Sequence, residues 1–250
     1  MEFINKYNYI ILLFLSIGMI SCNDEDSPDC FKKAGDNVSI TRETGEFFGI
    51  QYLEFIKTTI VQDTVCFLEI KGPENILNKI STKNENGILL IENLNTCDFV
   101  RNMSRRPHLY IHVCNLRELY IHDGAGDIDT EGVLRGDSLF VECKHGNGPV
   151  SLNLDYRVGV FQFHTGACDL QLSGNVDKAE LYNNGYGRMD AGGLIAKSVF
   201  LNNSSINDVY VYADEYLYVG IYGSGDVYYR GMVQSVDLTR TGSGTLINIE

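Results

Sequence analysis

A glycine turn recurs along the second half of the chain at nearly constant spacing, and it limits the fold more than any other feature. Counting turns from Gly124, Gly146, Gly166, Gly185, Ser205, Gly223 and Gly242 gives steps of 22, 20, 19, 20, 18 and 19 residues. Four places after each start stands an apolar residue: Ile128, Val150, Leu170, Met189, Val209, Val227 and Leu246. One place earlier stands Asp127, Asp169, Asp208 or Asp226 in four of the seven, and Gly126, Gly148, Gly187, Gly225 and Gly244 supply a second glycine. The consensus is Gly-x-Gly-Asp-apolar. A period of roughly 20 residues marks a solenoid or a set of blades.

Between turns, apolar residues alternate with mostly polar or tyrosine positions, as in Leu119–Ile121, Leu139–Cys143, Phe161–Phe163, Val199–Leu201, Leu217–Val219 and Val236–Leu238. That is the pattern of half-buried strands. No stretch of the repeat keeps an i, i+3, i+4, i+7 apolar face for the ~10 residues a helix needs. Two or three short strands fill one coil of a parallel β-helix, whereas a propeller blade takes ~40 residues. Stacked coils bring equivalent residues to ~4.8 Å, so inward side chains form ladders, each fully buried large one contributing ~1.5 to 3 kcal/mol. Sharp corners predict glycine at φ > 0. A second set eight places on, Gly132, Gly174, Gly193 and Gly231, predicts another corner and a three-sided coil.

Gly223-Ser-Gly-Asp-Val-Tyr-Tyr-Arg-Gly231, Thr241-Gly-Ser-Gly-Thr245 and Leu116-Arg-Glu-Leu-Tyr-Ile-His-Asp-Gly-Ala-Gly-Asp-Ile128 resemble the putative auto-transporter adhesin, head GIN domain family. Val65–Ile80 and Asn86–Ile91 resemble its first half, so the likeness spans about residues 46 to 250. The resemblance implies a right-handed β-helix in an exported protein, often a lipoprotein, of no established biochemical function. Departures are Pro149 and Arg188 in the aspartate position and Ser205-Ile-Asn207 in place of the glycines, which put local turn geometry in question.

At the N-terminus, Lys6 precedes the apolar run Tyr9–Ile20 and then Ser21-Cys22. Twelve residues are too few for a ~30 Å hydrocarbon core, so residues 1–21 are expected to be a signal peptide. Met19-Ile-Ser-Cys22 resembles a lipobox, which makes Cys22 the expected site of acylation and membrane attachment. Residues 22–37, with Asn23-Asp-Glu-Asp26, form an acidic polar tether, and the acidic run resembles a signal for surface display. The expected location is the outer membrane, surface-exposed, with a periplasm-facing alternative. Residues 38–250 are expected to form one domain: irregular coils over 38–118, with a helical turn at Glu74–Ile80 and a long loop at Glu92–Pro107, and regular repeats over 119–250.

A net charge of −13 argues against a nucleic-acid partner, which wants a basic surface. Beyond Cys22, the cysteines Cys30, Cys66, Cys97, Cys114, Cys143 and Cys168 show no zinc spacing, and both disulfides and buried free thiols remain open. His122, His145 and His164 precede their turns closely, so stacking could gather them as weak metal candidates, against exposed turn histidines. No cofactor is expected. The aspartate row is loosely similar to calcium-binding β-rolls, but those have a nonapeptide period. Carboxylates accepting a hydrogen bond from the next turn's backbone explain it better. Asn183, Asn184, Asn202 and Asn203 suggest an amide ladder.

Tyrosines crowd residues 210–229, and Tyr210, Tyr212, Tyr228 and Tyr229 with Arg230 are the candidate binding strip, for a sugar ring or a protein partner. A tyrosine ladder that only shields the sheet is the alternative. Neither a Gly-x-Ser-x-Gly elbow nor a His-Glu-x-x-His motif is present, and no helix follows the Gly-x-Gly turns to make a nucleotide loop. The function expected is that of a non-enzymatic surface lipoprotein binding a glycan or protein. Alternatives are a glycan-active lyase or hydrolase on the same scaffold, or envelope scaffolding through end contacts at the last strand.

Overall fold

The structure is a computed structural model that describes residues 34–53, 56–95, 106–123 and 127–250. The first half holds β1 (Asn37–Glu43), β2 (Gly49–Tyr52), β3 (Lys57–Gln62), β4 (Phe67–Pro73), the single-turn helix α1 (Glu74–Leu77), β5 (Ile80–Glu85), β6 (Ile88–Asn93), β7 (His108–Val113), β8 (Glu118–His122) and β9 (Ile128–Glu131). Then come β10 (Leu134–Asn183), β11 (Met189–Asn203), β12 (Val209–Ile221), β13 (Val227–Arg230), β14 (Ser235–Arg240) and β15 (Leu246–Asn248). Among the described residues no helix is long and apolar enough to cross a membrane.

The repeat is a parallel β-solenoid. Leu170 pairs with Met189, Met189 with Val209, Val209 with Val227 and Val227 with Leu246, while Ile128 pairs with Val150. The six residues from Ile128 to Val227 in this column are at most 1% exposed. The residues of a second inward column, Leu119, Val141, Phe161, Leu181, Leu201 and Val219, are at most 2% exposed. β10 is so long because it winds rather than runs straight: Gly166 packs against the backbone of Gly146, and Gly174 against that of Leu154, each 20 residues earlier.

The corners differ from expectation in their cause. Among the described turn glycines only Gly148 and Gly166 have positive φ, at 90° and 108°. At Gly187, Gly223, Gly225, Gly242 and Gly244 a Cβ would instead be driven into a carbonyl oxygen of the preceding coil. Gly146 and Gly185 are likewise not left-handed, and Gly124 and Gly126 lie outside the described residues. Close approach of stacked backbones is thus the commoner reason for glycine here. The left-handed corner is the second one, where Gly132, Gly174 and Gly231 have φ of 79°, 102° and 111°; Gly193 departs from it.

The coil that starts at Ser205 replaces glycine with side-chain bonds. Ser205 Oγ donates to the Gly185 carbonyl at 2.7 Å and accepts from Asn207 N–H at 3.1 Å. Asn207 Nδ2 reaches the Tyr186 carbonyl on the preceding coil. Buried Asn203 accepts from Ser205 N–H at 3.1 Å and donates to the Asn207 and Gly225 carbonyls at 3.2 Å. Asn183 Nδ2 donates to Asn203 Oδ1 at 3.3 Å, so the amide ladder is real at these two positions.

The N-terminal rungs do not stack in chain order. β2 pairs in parallel with both β6 and β8, and β3 with both β7 and β9, so Ile50 lies between Leu89 and Leu119. The chain therefore enters at the second rung, adds the outermost rung later, then returns to the other side of β2 and β3. β4 and β1 extend the β7 edge antiparallel, and β5 does so for β6. These antiparallel strands cover what would otherwise be an open parallel end. Arg42 of β1 locks this cap by donating to the carbonyls of Ile80 and Leu77, the last residue of α1. Cys66 and Cys114 are joined as a disulfide, whereas Cys143 and Cys168 are buried free thiols. Cys22, Cys30 and Cys97, with the expected leader and most of the tether, lie outside the described residues.

Candidate functional site

Strand alternation decides which members of the tyrosine strip face solvent. Tyr210 pairs with Tyr228, and Tyr212 with Arg230, on the outer face of β12 and β13. The Tyr210 and Tyr228 rings stack at 4.9 Å between centroids and 11° between planes. Arg230 lies 5.7 Å from the Tyr212 ring and donates to the Gly192 carbonyl at 2.7 Å, strapping across the intervening rung. Tyr229 does not belong to this face: it pairs with Val211 and packs against the core. Neighbouring strand residues point to opposite sides.

Beside Tyr210 the coil corners leave a pocket of about 480 Å³, lined by Arg188, Asp190, Ile206, Asp208 and Tyr210. Ile206, 67% exposed, gives the pocket an apolar edge, and Tyr186, at the same place in the preceding turn, is 72% exposed. The aspartate row does what its spacing predicts. Asp169 accepts from Arg188 N–H at 2.9 Å, Asp208 from Asp226 N–H at 2.9 Å and Asp226 from Thr245 N–H at 2.7 Å, each one coil later. Asp127 departs, with φ of 46° and an ion pair to Lys57. Desolvation, then Asp208 and Asp226, hold the Tyr228 phenol above its ordinary range, so it remains a donor at neutral pH.

A second outward face gathers the histidines, though not as a metal ladder. His122 Nε2 and His164 Nε2 lie 3.2 and 3.3 Å from the two carboxylate oxygens of Glu142, and Lys144 Nζ is 2.9 Å from one of them. His145 is diverted: with φ of 58° it points to Thr165 Oγ1, 3.0 Å away. Among the described residues no group of three His, Cys, Asp or Glu is arranged to hold a metal. Around Glu142 the rings of Tyr120, Phe140, His164 and Tyr182 form an aromatic border, and burial, then Glu118, push the Tyr120 phenol up to about 12. Farther along, Lys178 sits over Phe200, which packs on Tyr216.

Burial, the largest influence on Glu142, raises its pKa, but the bonds from Lys144 and His122 outweigh it and the net shift is downward. A carboxyl lowered by folding stabilises the fold above its ordinary pKa of 4.5, and that contribution is lost as pH falls through the lower folded value. Glu142→Gln is expected to cost about 1.5 to 3 kcal/mol at pH 7. The gap from the parent should close toward pH 3, as read from denaturant midpoints. A gap that does not change with pH would show the carboxylate charge to be irrelevant.

A family model of the putative auto-transporter adhesin, head GIN domain matches residues 46–232. The chain belongs to that family. No curated protein matches it. Among solved structures, the head GIN chain is similar to a putative adhesin from Bacteroides fragilis, with 22% identity and a TM-score of 0.74 over 86% of this chain and 97% of that one. A putative adhesin from Parabacteroides distasonis is similar at 15% identity and a TM-score of 0.64, covering 86% and 98%. A structure described as a putative lipid binding protein from the same species is similar at 19% and 0.63, with the same coverage. At these identities the likeness speaks for the fold alone.

The Glu142 cluster and the Arg188 pocket of this head GIN domain were missed by sequence reasoning. A signal was available: Tyr120 and Glu142 share one outward register, as do Tyr182 with Asn202 and Asp190 with Tyr210 and Tyr228. The outward positions, taken coil by coil at the period of the turns, carry these columns.

Proposed function

We propose that the protein is a non-enzymatic adhesive module, held at the cell surface by acylated Cys22, that binds neutral glycans at the Arg188–Tyr210 pocket. The observation that carries this is the stacked, outward Tyr210–Tyr228 pair beside a polar pocket of about 480 Å³. A tyrosine ring offers a flat apolar face to the C–H side of a sugar, and carboxylates accept its hydroxyl protons. Two carboxylates, Asp190 and Asp208, face one guanidinium in the lining, and the chain carries a net charge of −13, so acidic saccharides are repelled. The family, described as one of adhesins, supports a binding role. The apolar run before Cys22 supports export and anchoring.

A glycan array containing neutral and uronate or sialate sugars tests the binding site. Neutral glycans should bind, and Tyr210→Ala should weaken them about tenfold, equivalent to ~1.4 kcal/mol. His145→Ala, on an exposed turn elsewhere, should not. Retained affinity in Tyr210→Ala, or selection of acidic sugars, overturns the site, and capture of a protein in place of any sugar overturns the ligand class. For the anchor, Cys22→Ser should release the protein from membranes into the soluble fraction; a variant that stays membrane-bound sinks that part.

A further inference from the structure

Two rungs of the solenoid meet at a pair of sulfurs. Cys143 and Cys168, each 1% exposed, bring their Sγ atoms to 2.7 Å, and both are free thiols in this structure. A covalent S–S bond is about 2.05 Å, so only a small closing movement separates the pair from bonding distance. The corner around them is built to admit sulfur. A Cβ on Gly146 would stand 2.8 Å from Cys168 Sγ, 2.9 Å from Cys143 Sγ and 3.0 Å from the Ile121 side chain, so any larger residue there would displace the two cysteines. Ile121 occupies the rung before Cys143 in the same inward column and closes the corner with an apolar side chain.

We infer that Cys143 and Cys168 form a second disulfide, a covalent staple between successive coils of the repeat in addition to Cys66–Cys114. The reaction exchanges a dithiol for a disulfide. One cysteine of the pair, as its thiolate, attacks one sulfur of an oxidising protein or small-molecule disulfide and expels a thiolate, and the other then attacks the mixed disulfide and expels the second. Two protons and two electrons leave the cysteine pair, and the oxidant ends as two thiols. Because both sulfurs are buried, the exchange takes place while the coils are still open, and closing the rung then shields the bond. The staple ties the strand that carries Glu142 to the turn that begins at Gly166, where the solenoid has no other covalent link among the described residues.

The test uses the full chain, reduced, refolded in oxidised glutathione, denatured with a thiol-blocking alkylator present and digested with trypsin. Cleavage at Lys144 and Arg157 places the two cysteines on separate peptides. The expected result is one linked peptide pair containing Cys143 and Cys168, with two hydrogens fewer than the free peptides, that dissolves on reduction. Finding both cysteines alkylated, or either joined to Cys30 or Cys97, overturns the inference. A second measurement is the thermal midpoint with and without reductant. Cys143→Ala/Cys168→Ala should respond less to reductant than the parent, and an equal response counts against the staple. Because the oxidant is supplied, the outcome is independent of where the protein resides and of what it binds.

Discussion

Gly174→Val is expected to destabilise the regular repeat by about 2 to 5 kcal/mol, the sum of a left-handed backbone and a displaced neighbouring coil. Gly174 has φ of 102°, and its missing Cβ would enter the Leu154 carbonyl on the rung below. A β-branched residue tolerates that conformation poorly, and the obstacle is backbone, which cannot rotate away. Gly132 isolates the first term: its φ is 79°, yet a Cβ there meets nothing within 4 Å. Gly132→Ala should therefore cost only about 1 to 2 kcal/mol. Urea midpoints followed by circular dichroism give both values. Equal losses for the two variants would mean that the coils do not approach as closely as the Gly174–Leu154 contact requires.

Asn203→Leu is the second large effect, expected at about 4 kcal/mol or more from several polar groups left without partners. Asn203 is wholly buried, where an apolar side chain would be the ordinary choice, and its column continues to Ile221 in the next rung. Leucine would restore apolar burial but orphan the Ser205 N–H, the Asn207 and Gly225 carbonyls and the Asn183 amide N–H. Among the described residues Asn183 Oδ1 already has no partner, so the ladder has no spare donor for the carbonyls that leucine would orphan. Asn202→Leu, one residue earlier on the outward face, should change the midpoint by less than about 0.5 kcal/mol. If Asn202 and Asn203 behave alike, side-chain hydrogen bonds are not what substitutes for glycine in the coil that starts at Ser205.

Much of this fold is legible from a single repeated phrase. The residue four places after each turn start is a backbone neighbour of its counterpart in the adjacent coil at Ile128–Val150 and in every step from Leu170 to Leu246. The helical turn at Glu74 is also present, as α1. The candidate site was legible in part. Tyr210, Tyr212 and Tyr228 face outward as their alternation predicts, but Tyr229 cannot share a face with Tyr228 in one strand. His122 and His164 do converge, on Glu142 rather than on a metal, whereas a left-handed backbone turns His145 away from them. Each miss concerns a local direction or a register that a list of attractive residue types does not contain.

By itself the amino-acid order determined that the chain winds, how many residues make a coil and which side of each strand is apolar, because alternation and turn chemistry act within about 20 residues. Tertiary structure alone decided that β2 and β3 slip between later strands, that two thiols meet beneath Gly146, and that Arg188 and Tyr210 border one pocket. These groups lie 20 to 70 residues apart in the chain. They become neighbours only when coils stack at ~4.8 Å in a particular order and register, and the stacking is driven by burial of the whole inner surface rather than by any local motif.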